Sequence, residues 1–138
     1  MKAVLSLLAV ALFAIGTIHA QTVTGTVETH SCGRVSTPTY CYGIPITLAG
    51  VSENVWVYQQ SSGAGFVDFL TGGLGQATIT SPFQPLNGAP LVYAFTGSGY
   101  SGQLVLTYSK HYSSGGGGRG GGGAGWYWTV TGGTITIN

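Results

Sequence analysis

The sequence predicts an all-β domain of about eight strands, an antiparallel sandwich or small barrel, with a single β-sandwich of jelly-roll or immunoglobulin-like type preferred. Three observations carry that expectation. Apolar residues recur with a period of two through most of the 138 residues. Gly, Pro and Asn turn signals separate the alternating runs. No window after residue 20 shows an amphipathic helical stripe of useful length.

The first alternating run is Thr22-Val23-Thr24-Gly25-Thr26-Val27-Glu28, with valines on one face and threonines on the other. Ile44, Ile46 and Leu48 alternate next, followed by Val55-Trp56-Val57-Tyr58, which sets valines against aromatics. Residues 65–70 (GFVDFL) are apolar on both faces. Leu91, Tyr93 and Phe95, then Leu104, Leu106 and Tyr108, repeat the half-buried pattern. Trp126, Trp128 and Val130 share a face, and Ile135 with Ile137 ends the series. Ser61-Ser62-Gly63, Gly72-Gly73, Asn87-Gly88-Ala89-Pro90, Gly97-Ser98-Gly99 and Gly132-Gly133 supply the turns.

Before these runs, one lysine precedes an apolar stretch over residues 3–15, broken only by Ser6, and Ala20 ends a short small-residue region. This pattern predicts a signal peptide over 1–20, a mature domain over 21–138, and a secreted, extracellular protein (periplasmic or cell-surface in a bacterium). The stretch falls short of the roughly 20 apolar residues that span a bilayer, and no later segment is long enough, so no membrane span is expected in the mature chain. Cys32 and Cys41 are the two cysteines, and in an oxidising compartment they are expected to form one disulfide.

Only 5% of residues are Asp, Glu, Lys or Arg, against about 25% in ordinary domains. Without residues 1–20, Arg34, Lys110 and Arg119 balance Glu28, Glu53 and Asp68 to a net charge of zero. Such a chain offers no phosphate-neutralising patch and no polybasic tether, which argues against nucleic acid and against anionic membranes as partners. Residues 113–125 read SSGGGGRGGGGAG, nine glycines in thirteen positions, a flexible loop inside the domain with Arg119 near its tip. No helix and no Lys-Ser/Thr follows it, so it is not a phosphate-cradling loop.

The titratable inventory does not assemble a catalytic motif. Glu28 and His30 stand two apart on one face, Glu28 and Glu53 read as solvated charges, and Asp68 reads as an outward-pointing side chain. His30-Ser31-Cys32 with Cys41 and His111 has the residue types of a zinc site, but oxidised cysteines do not ligate zinc. No nucleophile elbow is present. The expected protein is therefore not an enzyme and carries no metal or other cofactor.

Aromatic residues carry the functional expectation. Planar rings stack on sugar faces, and a neutral surface suits a neutral glycan. Trp56, Tyr58, Trp126 and Trp128 are the candidate ligand-binding residues, with Tyr40, Tyr42, Tyr100 and Tyr112 near turns as further exposed rings. In outline such a domain resembles carbohydrate-binding modules and cell-surface sandwich domains. The expected function is non-catalytic binding of neutral glycan or another extracellular surface. The alternative is a structural, self-assembling coat, matrix or fibre protein, a homo-oligomer, because sparsely charged strands leave sheet edges unguarded. The rows Thr22, Thr24, Thr26 and Thr134, Thr136 resemble the flat threonine arrays of some ice-binding proteins over a few residues, without a repeat to extend them.

Overall fold

The computed structural model describes residues 22–34, 39–114 and 125–138. The expected signal peptide and residues 115–124 of the glycine-rich stretch lie outside them. Every regular element among the described residues is a strand: β1 (Val23–Val27), β2 (His30–Arg34), β3 (Thr39–Leu48), β4 (Val51–Gln59), β5 (Gly65–Phe69), β6 (Gly75–Ile79), β7 (Leu91–Thr96), β8 (Ser101–Ser113) and β9 (Gly125–Ile137). At the glycine-rich stretch, Ser113 and Gly125 are themselves strand residues that pair across the β8–β9 hairpin.

Strands β3 to β9 form an antiparallel meander, each pairing with the next. The meander does not stop at β9. Strand β1 pairs with β3 through Gly25↔Leu48 and Val27↔Ile46, and with β9 through Val23↔Ile137 to Val27↔Gly133. These pairings close the sheet on itself, so the fold is an eight-stranded antiparallel barrel with β2 as one strand outside the closure. The sandwich expectation is therefore corrected. Inward-outward alternation is the same in a sandwich and in a small barrel, and the difference lies in the pairing of the first strand with the last. Glycine permits close approach at this seam (Gly25) and on the neighbouring β8 (Gly102). A Cβ at Gly25 would lie 2.9 Å from Ile135 Cγ2, and one at Gly102 would press into the Phe95 ring, 2.6 Å away.

The inward set fills the barrel. Ile44, Ile46, Val55, Val57, Val67, Phe69, Leu91, Tyr93, Phe95, Leu104, Leu106, Val130 and Ile135 are all buried. Eight strands enclose a space that side chains can fill, and the inward residues form one buried cluster there. The apolar side faces in, the reverse of an outer-membrane barrel whose lipid-facing exterior is apolar. No helix among the described residues is long and apolar enough to cross a membrane.

Polar side chains finish the structure where strands run out. Glu53 is buried at one end of β4 and accepts from Asn54 N (3.0 Å), Thr71 N (2.7 Å) and the Thr71 hydroxyl. Gln59 is buried at the other end and donates through Nε2 to the carbonyls of Gly63 (3.0 Å) and Ser81 (2.8 Å). Strands β6 and β7 share only Thr78↔Thr96 and Ile79↔Phe95. Beyond that pair, Ser81 and Gln84 hydrogen-bond along β7 with their side chains.

Strands β8 and β9 continue together past Leu106, after a bulge at Thr107/Tyr108. Along this extension β2 pairs with β9 through His30↔Val130 to Arg34↔Tyr127, continuing the line of β1. The Cys32–Cys41 disulfide, with 4.9 Å between Cα atoms, fastens β2 to β3. A disulfide is compatible with an oxidising, extracellular location.

Candidate functional site

A filled interior leaves the outside of the barrel for recognition. On β4 the inward turn of Val55 and Val57 sends Trp56 and Tyr58 to the outer face. On β5 the same alternation sends Phe66 and Asp68 outward, opposite Tyr58 and Trp56 respectively. On β3 a bulge between Cys41 and Ile44 places Tyr42 and Gly43 together opposite Trp56. Gly43 takes φ 69° there, which glycine tolerates without strain.

The rings form one connected cluster across three strands. Tyr42 meets Trp56 edge-on at 5.1 Å, Trp56 meets Phe66 edge-on at 5.7 Å, and Tyr58 stacks on Phe66 at 5.4 Å. Such contacts fix ring orientation and add stability beyond area burial. Tyr42 is 61% exposed, whereas Trp56, Tyr58 and Phe66 are half-buried. The Trp56 indole N–H is sealed from solvent and has no hydrogen-bond partner. Around the rings stand Asn54, Asp68, Gln76 and Gln60, whose amide donates to the Tyr58 hydroxyl at 3.1 Å. Tyr42 and Phe66 are the members that sequence alone did not single out as partners of Trp56. Their signal was position, since both fall outward once β3, β4 and β5 are in register.

The second candidate pair divides. Trp126 and Trp128 share a face of β9, but Trp128 is buried at 2% exposure and meets Tyr108 edge-on at 5.8 Å. Trp126 is 49% exposed, with Tyr112 edge-on at 5.2 Å and Lys110 Nζ 4.6 Å from its ring centroid. One face of the Trp126 ring is thus occupied by a cation, and the two indoles do not make a flat pair. Tyr112 is exposed as expected. Tyr100 instead packs edge-on against Phe69 and Phe95 and donates to the Leu74 carbonyl at 3.2 Å. For Tyr40 only the backbone is described.

The threonine rows also lie outward and in register. Thr24↔Thr136, Thr26↔Thr134 and Thr26↔Thr47 bring five threonines together across β9, β1 and β3. They line an open groove of about 580 Å³ with Ala49 and Gly50. Thr22 belongs to no such surface, because its hydroxyl donates to Asn138 Oδ1 at 3.0 Å.

The titratable groups stay apart. Glu28 is exposed beyond β1, but Glu53, expected to be solvated, is buried because it lies in the inward series of β4 and satisfies the Thr71 turn. His30 Nε2 donates to the Tyr42 carbonyl at 3.1 Å. Both cysteines are consumed by the disulfide, and the described residues hold no group of three His, Cys, Asp or Glu in metal-ligating proximity. Burial raises the Tyr93 phenol far above its usual range, with a smaller contribution from Tyr108. Tyr100 is raised as well, first by burial and then by the Asp68 carboxylate. No general acid–base pair emerges from these positions among the described residues.

No family model matches the sequence, and no curated protein or solved structure is detectably similar to it.

Proposed function

We propose that this is a secreted, non-catalytic binding domain that holds neutral glycans on the outer aromatic face of β3, β4 and β5. The supporting observation is the continuous cluster of Tyr42, Trp56, Phe66 and Tyr58 on the outside of a barrel whose interior is packed. Single exposed rings are ordinary, but a contiguous aromatic cluster on the outside of a barrel with its own core is the kind of patch that marks a binding surface. Rings with amides and a carboxylate at the margin are the chemistry that recognises sugar faces and hydroxyls. The disulfide and the signal-like residues 1–20 support secretion.

The test is retention on insoluble neutral polysaccharides (cellulose, chitin, β-1,3-glucan and mannan), with Tyr42→Ala as the variant. Tyr42 is the most exposed ring of the cluster, so its loss should abolish retention and barely shift melting. Retention of the variant equal to that of the wild type, or no retention of either, would contradict the reading.

One observation favours the structural alternative. Beyond Leu106 the β8 edge from Thr107 to Ser113 faces no strand other than β9 among the described residues. A free edge is a template for strand addition. Sedimentation velocity over a concentration series decides between the two: a monomer throughout supports the binding domain, and growth into large β-rich species supports assembly.

A further inference from the structure

This inference rests on the glycan-binding reading of the outer aromatic face. We propose that Asp68, acting with the Trp56 indole N–H, selects the ligand's chemistry: a sugar presenting two free neighbouring hydroxyls is admitted, and a sugar carrying an acid group is rejected.

Asp68 on β5 lies directly opposite Trp56 on β4. Directly opposed residues place their Cβ atoms about 4.5–5.5 Å apart. Asp68 is half-buried, and its carboxylate accepts no hydrogen bond and joins no ion pair with any described residue. The indole N–H of Trp56, the residue paired with Asp68, has no acceptor either. A carboxylate only accepts and an indole only donates, so a hydroxyl is the group that satisfies both, donating to one and accepting from the other. Two adjacent hydroxyls engage both carboxylate oxygens, and such charge-assisted bonds are about twice as strong as neutral ones. The N–H is sealed in this structure, so the exposed Tyr42 ring, which meets Trp56 edge-on, must turn aside when a hydroxyl binds.

The same geometry discriminates against acidic sugars. The neighbours Asn54, Phe66 and Gln76 carry no charge. A uronate or sulfate group would therefore meet the Asp68 charge with nothing on this face to offset it, and like charges suppress binding.

The experiment is calorimetric titration of wild type, Asp68→Asn and Trp56→Phe with neutral gluco-, xylo- and manno-oligosaccharides and with oligogalacturonate, alongside thermal melts. Wild type should bind at least one neutral probe and not oligogalacturonate. Asp68→Asn should weaken neutral binding about tenfold or more, narrow the neutral-over-acidic preference, and melt within a few degrees of wild type. Trp56→Phe, which keeps a ring but deletes the N–H, should weaken binding by a smaller factor. If the Asn variant melts early, Asp68→Ser repeats the test with a smaller uncharged side chain. Undiminished neutral binding by the Asp68 variants, or equal binding of oligogalacturonate by wild type, overturns the inference and leaves the aromatic-face reading standing. Failure of wild type to bind any neutral probe overturns both.

Discussion

The side-chain amide of Gln84 closes on both backbone polar groups of Val92, accepting from Val92 N at 3.0 Å and donating to Val92 O. It does for β7 what another strand residue would do. Ser81 performs the same service one step along, accepting from Ala94 N at 3.1 Å and donating to Val92 O at 3.2 Å. Strand β6 ends at Ile79, so these two side chains complete the weakest seam of the barrel. Gln84→Leu keeps bulk and removes the pairing. Val92 O keeps the Ser81 hydroxyl but Val92 N loses its acceptor, so the change should cost about 1–3 kcal/mol in urea unfolding, the range for one backbone group left unpaired. An unchanged midpoint would show that water replaces the amide at no cost.

The disulfide gives a second prediction. Strand β2 pairs with β9, and the Cys32–Cys41 bond fastens it to β3. Closing a loop of about ten residues is worth about 2–3 kcal/mol on the chain-entropy model. Reduction should therefore lower the melting temperature by roughly 10 °C while the β signal in circular dichroism survives. Collapse of that signal would mean that barrel closure itself depends on β2.

The third concerns alkaline pH. The folded state holds the buried Tyr93 proton far above the ordinary tyrosine value of 10.0. The unfolded chain releases it near that value, so ionisation favours unfolding. Stability should be full below about pH 10 and fall above it, at up to about 1.4 kcal/mol per pH unit. Tyr93→Phe should flatten the slope, leaving a residue from Tyr100, whose phenol is also raised. Melting curves from pH 8 to 11 check this, and an identical slope in the variant would contradict it.

Trp126 and Trp128 should respond oppositely to truncation. Trp128→Ala removes a buried indole and should cost about 3–5 kcal/mol. Trp126→Ala removes an exposed ring and one cation–π contact with Lys110, a loss within about 1 kcal/mol. Comparable destabilisation in both would place Trp126 in the core.

The strands were legible because Val55, Val57, Leu104, Leu106 and their equivalents alternate strictly, and that pattern reports a half-buried sheet whatever its topology. Closure was not legible. It depends on Val23 meeting Ile137, and nothing local to either end records that meeting. The fate of Trp126 and Trp128 was hidden for a related reason: one face of β9 begins in the hairpin extension and enters the core two residues later. Glu53 misled by its charge, since only the turn at Thr71 reveals why a carboxylate is buried there. Trp56 and Tyr58 were identifiable as one face of a two-sided strand, but which face was outward, and that Tyr42 and Phe66 joined them, required the register of β3, β4 and β5.

The outer aromatic face is tested most directly by following the tryptophan indole N–H resonances during titration with neutral oligosaccharides. The Trp56 resonance should move progressively and saturably while those of Trp126 and Trp128 stay in place. Movement of Trp126 with Trp56 unmoved, or no movement of any indole at saturating sugar, would contradict the glycan-binding account.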